Sequence, residues 1–211
     1  MLAALDRHAA PLASMTLFEP VPAIRALLTS AMAGQAGAAI VIEPLALSDE
    51  PGQLPMVVHD LSAGTHHLGA IEQHEQGETI SVEVTTLDRL WSARDGGPID
   101  LLKIDAEGYD GKVILGARAL LERGAIDVIQ FEYGVTFMRA RLYLRDLIDL
   151  AHASGYRFGT LHGGGIELID AWHPDIESFI ACNKVIVHPR AIGWLGATEV
   201  SYSPSNTLGA R

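Results

Sequence analysis

The chain has 211 residues, 48% of them apolar and 19% charged, and this composition fits one globular domain with a sizeable core. The formal net charge of −11 argues against nucleic acid or an anionic membrane as a partner and favours small molecules or neutral and cationic groups. The single cysteine excludes an internal disulfide, and there is neither a signal-peptide pattern nor an apolar run long enough to span a bilayer. We therefore expect a cytoplasmic protein.

Apolar runs of strand length alternate with segments of helical periodicity along most of the chain. Apolar residues recur at helical spacing from Leu2 to Leu12, and the next segment, MTLFE, is predicted as a strand closed by Pro20 and Pro22. Further helices are predicted at about residues 22–34, 110–123 and 141–154. Strands are predicted at residues 15–19, 38–47, 54–58, 80–86, 99–105, 126–132, 156–162, 165–170 and 178–187.

The order of these elements predicts an α/β fold. Strands that are apolar nearly throughout and alternate with helices indicate a mostly parallel sheet covered on both faces. Glycines at residues 163–165 predict a late hairpin that adds an antiparallel element. We expect one domain over residues 1–187 and a loosely structured tail over residues 188–211, which is rich in Gly, Ser and Pro. In open sheets of this kind, ligands bind at the carboxyl ends of the strands.

Two predicted strands match position for position, and both end in a carboxylate. Residues 99–105 are IDLLKID, and residues 126–132 are IDVIQFE. If the two strands are parallel neighbours in register, Asp105 and Glu132 lie on one face, about 4.8 Å apart in the strand-to-strand direction. Two carboxylates that close raise each other's pKa or require a cation between them. Lys103 is one such cation, and a buried ion pair without a chemical role is the alternative interpretation.

The segment from Asp100 to Gly108 carries the most specific motif in the chain, with TLD at residues 86–88 before it and ILGA at residues 114–117 after it. Together with FEP at residues 18–20, it resembles the signature of the FkbM-type S-adenosylmethionine-dependent methyltransferases. The resemblance covers about residues 15–187. It implies a Rossmann-like class I methyltransferase fold with a seven-stranded sheet. It also implies methyl transfer, commonly to a hydroxyl oxygen, here on a small-molecule or glycan acceptor.

The resemblance implies roles for individual residues. Glu19, after the second strand of the fold, would accept hydrogen bonds from the ribose hydroxyls of S-adenosylmethionine. Ser48 and Asp49, after the next strand, would lie near the adenine edge. Asp105 and Glu107 would line the site around the methionine moiety and the methyl group. A carboxylate there balances the cationic ammonium and sulfonium or accepts the proton of an attacking hydroxyl.

One part of the family pattern is missing from the sequence. A class I methyltransferase begins with a central strand that leads into a Gly-rich turn, whereas the fourteen residues before MTLFE are predicted as helix and contain no glycine. We expect the first central strand to be missing and the chain to bind S-adenosylmethionine poorly. A non-catalytic remnant or binding module of the same fold is the alternative. A nicotinamide-dependent oxidoreductase is a third possibility, because Glu19 suits any adenosine ribose.

Two adjacent histidines, His66 and His67, lie in a polar segment between two predicted strands. Adjacent histidines lack the spacing of metal ligands, such as two positions four residues apart on a helix, so we predict no metal site. We place both histidines, together with Glu132, at the border of the acceptor pocket.

Overall fold

The computed structural model describes residues 12–35, 37–58, 67–68, 77–94, 96–202 and 208–210. They divide into two compact units, one within Met1–Leu47 and Pro51–Thr85 and the other within Ser48–Glu50 and Thr86–Arg211. None of the helices in the described part of the chain is both long and apolar enough to span a membrane.

The described part of the first unit contains a small parallel sheet and a mixed sheet. Strand β1 (Ser14–Phe18) pairs in parallel with β2 (Ala39–Glu43), and helix α1 (Pro22–Met32) connects them. The mixed sheet has the order β3-β6-β4-β5 and contains β3 (Ala46–Leu47), β4 (Gly52–Val58), β5 (His67–Leu68) and β6 (Glu78–Thr85). The single strand predicted over residues 38–47 is divided, because Pro44 lacks the N–H group that would continue a ladder.

The second unit contains a seven-stranded sheet with helices between its strands. Its helices are α2 (Leu87–Ala93), α3 (Asp110–Leu115), α4 (Arg118–Glu122), α5 (Phe137–Ala140) and α6 (Leu144–Ala153). Its strands are β7 (Ile99–Lys103), β8 (Ile126–Tyr133), β9 (Arg157–His162), β10 (Gly165–Ile169), β11 (Cys182–Val187), β12 (Ala197–Tyr202) and β13 (Leu208–Ala210). Two short 3-10 helices span Pro174–Ile176 and Pro189–Trp194.

This sheet is mixed, which corrects the prediction of a mostly parallel sheet. Its order is β13-β12-β10-β9-β11-β8-β7, and only the pairs β7/β8 and β10/β12 are parallel. Strand β9 follows helix α6 and runs in the same direction as β8, as a crossover helix allows. Strand β11 then inserts between them, antiparallel to both. Its apolar sequence suits a buried strand of either direction, so the pattern could not distinguish the two.

The predicted pairing is confirmed for residues 99–103 with residues 126–130, whereas Asp105 lies beyond the end of β7. Strands β7 and β8 are parallel neighbours in the expected register, in which Ile99 lies opposite Ile126 and Lys103 opposite Gln130. The predicted hairpin is also confirmed, because β9 and β10 pair antiparallel across the glycines at residues 163–165. The carboxyl ends of β7 and β8 therefore meet at one edge of the sheet.

The segment after residue 188 differs from the loose tail that the sequence predicts. It begins with a 3-10 helix, and its next segment is β12, which pairs in parallel with β10. Val200 on β12 is buried. Apolar side chains buried on one face of the sheet nearby form a core that consists of Val128, Ile166, Leu168, Val185, Val187 and Ala191. Ile166 and Leu168 of this core lie on β10, and β12 pairs with the edge of that strand. The chain therefore continues the sheet after residue 188.

Candidate active site

The loop that follows β7 is fastened to the neighbouring strand by a buried carboxylate. Asp110, at the start of α3, is only 1% exposed. Its Oδ2 accepts a hydrogen bond from the backbone N–H of Gly108 at 3.1 Å, and its Oδ1 accepts one from the backbone N–H of Glu132 at 3.3 Å. The loop at residues 104–109 is therefore held at the carboxyl edge of β7 and β8.

The backbone of this loop adopts a conformation that most residues avoid. Glu107 has φ of +49° and Gly108 has φ of +101°. A Cβ atom on Gly108 would lie 2.5 Å from the carbonyl oxygen of Thr136, so only glycine fits the contact. Left-handed backbone at a residue other than glycine costs about 1–3 kcal/mol and is concentrated at functional sites. Glu107 is such a residue, and it is half-buried.

The environment of Asp110 changes its acidity. Burial raises the pKa of Asp110 to about 6, and hydrogen bonds from Gly108 and Glu132 oppose part of that rise. The carboxyl group therefore changes charge near neutral pH, unlike an ordinary aspartate. The two carboxyl oxygens of Asp110 accept the hydrogen bonds that hold the loop. Ionisation of Asp110 therefore affects the stability of the loop.

The two predicted strand-end carboxylates, Asp105 and Glu132, are both exposed at this edge. Asp105 forms an ion pair with Lys103, with 2.7 Å between Oδ2 and Nζ, and both side chains remain partly accessible to solvent. The ion pair that the sequence offered as an alternative is therefore present, but it is not buried. Exposed pairs of this kind contribute about 0–1 kcal/mol, so stability alone gives little reason for these charges.

Ser48 and Asp49 lie against helix α3 within the second unit. Asp49 pairs with Lys112, with 2.6 Å between Oδ2 and Nζ, and the Ser48 hydroxyl donates to Asp49 Oδ1 at 3.1 Å. Burial works to raise the pKa of Asp49, but the hydrogen bonds from Lys112 and Ser48 outweigh it and hold that pKa below its ordinary value. A Cβ on Gly116 would lie 2.1 Å from the Ser48 carbonyl oxygen, so this contact also requires glycine.

Glu19 belongs to the first unit and directly follows β1, at the strand end where the sequence places it. Its Oε1 accepts a hydrogen bond from the backbone N–H of Val21 at 2.8 Å. Its carbonyl oxygen accepts a hydrogen bond from Arg25 Nη1 at 3.1 Å. The side chain is thus oriented at the start of α1 and is partly buried.

The histidine prediction falls largely on residues that are not described. His66 lies outside the described residues, and His67 is described only as part of strand β5. Among the described residues, no group of three or more His, Cys, Asp or Glu side chains is arranged to hold a metal ion.

The sequence pattern gives no role to Asp110, Lys112 or Thr136, although Asp110 and Thr136 contact the loop after β7 and Lys112 pairs with Asp49. One signal in the sequence was available for Asp110. It is an acidic residue in the first turn of a helix that follows a charged strand end, where the helix dipole favours a carboxylate. Lys112 and Thr136 carry no comparable signal, because their contacts depend on segments distant along the chain.

Comparison with known families decides the lineage. The family model described as the methyltransferase FkbM domain matches residues 2–158, which is most of the chain. The chain belongs to the FkbM methyltransferase family. Comparison with curated proteins and with solved structures gives no match. The matched part of the FkbM domain includes both strands β7 and β8 and the loop that Asp110 fastens.

Proposed function

We propose that this FkbM-family chain is an S-adenosylmethionine-dependent methyltransferase that methylates a hydroxyl oxygen on a small molecule or sugar in the cytoplasm. The observation that carries the proposal is the fastened loop after β7, which holds Glu107 in a left-handed conformation beside Asp105. The family match supports methyl transfer in general. We propose one methyltransferase domain that includes residues 1–187 and the strands β12 and β13 that continue its sheet.

The residues present suit the proposed donor chemically. S-adenosylmethionine, when bound, supplies an electrophilic methyl group on a positively charged sulfonium. Carboxylates are acceptor-only groups that balance such a charge and accept hydrogen bonds from hydroxyls and ammonium groups. Asp105 and Glu107 are assigned to the methionine end, Glu19 to the ribose hydroxyls, and Ser48 and Asp49 to the adenine edge.

The chain's own contribution to the reaction is alignment and the handling of one proton. Methyl transfer to a hydroxyl is an in-line displacement, so the acceptor oxygen must be held against the methyl carbon. We assign Asp105 and Glu107 to this alignment, and one of them to accepting the hydroxyl proton. Glu132, His66 and His67 are assigned to the acceptor side.

A second candidate is a non-catalytic binding module of the same fold. Its support is that two of the assigned carboxylates already have cationic partners, since Asp105 pairs with Lys103 and Asp49 with Lys112. In that case these carboxylates stabilise the fold and bind no methyl donor.

An assay with methyl-labelled S-adenosylmethionine and a panel of alcohols and sugars separates the two candidates. The proposal predicts label in an acceptor, and loss of that label in Asp105→Asn and Glu107→Gln. Asp100→Asn is the matched control, because Asp100 is an exposed carboxylate on β7, the strand that precedes Asp105 and Glu107. Absence of both donor binding and labelled acceptor would favour the binding module.

A further inference from the structure

Exposed apolar side chains gather beside the carboxyl edge of β8. Val135 is 59% exposed, Met138 54%, Tyr143 56% and Ile180 70%. They are four of the eight large hydrophobic side chains that are exposed among the described residues, although they come from two short segments. We call these four residues the apolar rim. Exposed apolar side chains scattered singly need no explanation, but a cluster marks a binding surface.

The two segments of the apolar rim leave the sheet at the same place. Tyr133, at the end of β8, lies opposite Cys182, at the start of β11. One residue further out, a Cβ on Gly134 would lie 3.5 Å from the Cα of Ala181. The next residues outward are Val135 and Ile180. The antiparallel pairing of β8 with β11 therefore brings these two rim residues to one end of the sheet.

Aromatic packing and hydrogen bonds fix the backbone beneath the rim. The ring of Phe179 lies 5.7 Å from that of Tyr133 and 6.4 Å from that of Tyr143, centroid to centroid. The Tyr133 hydroxyl accepts from the backbone N–H of Phe179 at 2.9 Å and donates to Glu177 Oε1 at 3.2 Å. Glu177 Oε1 also accepts from the backbone N–H of Leu144 at 2.8 Å, at the start of α6. The rim is thus a preformed surface, which lowers the entropy cost of binding.

The rim adjoins the polar edge that the proposed function uses. Thr136, between Val135 and Met138, places its carbonyl oxygen over Gly108 in the fastened loop. Glu132, two residues before Gly134, is exposed at the same strand end and donates its N–H to Asp110. A ligand with a hydroxyl at the carboxylates therefore has apolar surface beside it.

We propose that the acceptor is an amphiphilic alcohol whose aliphatic or aromatic body lies on the apolar rim while its hydroxyl faces the carboxylate edge. This inference rests on the proposed function and narrows its acceptor class. The carboxylates at the reacting end disfavour an anionic group there, and the rim gives a bare sugar little to bind. An uncharged hydroxyl carried on an apolar body satisfies both surfaces.

A matched pair of glucosides tests the inference. Calorimetry on the full chain compares n-octyl β-D-glucoside, kept below its micellar concentration, with methyl β-D-glucoside, which has the same sugar. We expect the octyl compound to bind at least about tenfold more tightly, since removal of two methylene groups from water is sufficient for that difference. Val135→Ser and Ile180→Ser should each weaken octyl binding by about threefold or more. Trp194→Ser is the control, because Trp194 is equally exposed but follows the far end of β11.

Two results overturn the inference, and donor binding measured on the same samples shows in each case whether the proposed function fails as well. Equal binding of both glucosides, or equal effects of the rim variants and Trp194→Ser, in a chain that binds S-adenosylmethionine, would overturn the rim assignment alone. Rim-dependent octyl binding in a chain that binds no donor would overturn the proposed function and, with it, the identification of the ligand as a methyl acceptor.

Discussion

The buried carboxylate of Asp110 accepts a hydrogen bond from the backbone N–H of Glu132, with 3.3 Å between Oδ1 and N. The two residues are 22 positions apart in the sequence: Asp110 begins the helix that follows β7, and Glu132 lies on the neighbouring strand β8. This bond, with the one from Gly108, fixes the loop that carries Asp105 and Glu107. The proposed site therefore depends on a side chain that does not itself face the proposed ligands.

Replacement of Asp110 by alanine should destabilise the fold at low pH. Near pH 4 the carboxyl is protonated in the folded chain, so no buried charge is lost with it. The variant leaves two backbone N–H groups without their acceptor, and we expect a loss of about 2 kcal/mol in the free energy of unfolding. Urea unfolding measures the loss, with the exposed Asp100→Asn as the control. Equal stability of wild type and Asp110→Ala would show that the bonds to Asp110 do not hold the loop.

The stabilising effect of Asp110 should decline as pH rises. Its folded pKa of about 6 lies above the ordinary value of 3.8, so the folded chain binds the proton more tightly than the unfolded chain. This stability is fully present below pH 3.8 and is lost between about pH 4 and 6. The unfolding free energy of wild type should fall by up to about 3 kcal/mol relative to that of Asp110→Ala over that range, which is enough to offset the advantage of about 2 kcal/mol expected at low pH. Parallel pH profiles for the two proteins would contradict the raised pKa.

The pairing of β7 with β8 could be predicted from the sequence because two nearly identical patterns define one register. A slip of one residue would move every apolar side chain to the other face, so IDLLKID and IDVIQFE have one good alignment. The hairpin was predictable for a similar local reason, since the glycines at residues 163–165 allow a tight turn between two apolar runs.

Other features depend on contacts between distant segments, and the sequence pattern does not encode them locally. The apolar run at Cys182–Val187 fits a parallel or an antiparallel position equally well, and its place between β8 and β9 is set by packing. The role of Asp110 depends on the N–H of Glu132, which only the folded sheet brings near. Strand β12 is short and lies in a segment rich in Gly and Ser. The sequence of this segment has no clear apolar periodicity, so it did not predict the pairing of β12 with β10.

Gly108→Ala should destabilise the loop through strain. The backbone at Gly108 has φ of +101°, and the new Cβ would lie 2.5 Å from the carbonyl oxygen of Thr136. We expect a loss of about 1–3 kcal/mol in unfolding free energy and faster proteolysis near the loop. Gly164→Ala is the matched control, since a Cβ there meets nothing within 4 Å. If both variants are as stable as wild type, the close contact with Thr136 does not constrain the loop.

Glu19→Gln should affect donor binding more than turnover. The proposal assigns Glu19 only to hydrogen bonds with the ribose, and the amide is a weaker acceptor for hydroxyl donors than the carboxylate. Steady-state methyl-transfer assays should show a higher KM for S-adenosylmethionine with a modest change in kcat. The reverse pattern, with kcat reduced and KM unchanged, would assign Glu19 to the reaction itself.

The most direct test of the proposed site is the turnover number of Asp105→Asn and Glu107→Gln at saturating donor and acceptor. Because these carboxylates are assigned to alignment and proton transfer, kcat should fall by about 10²-fold or more in at least one of the two variants. Asp100→Asn, which removes an exposed carboxylate from β7, outside the loop that carries Asp105 and Glu107, should retain wild-type turnover. If Asp105→Asn and Glu107→Gln both keep full turnover, the two carboxylates are structural and the assignment of the site is wrong.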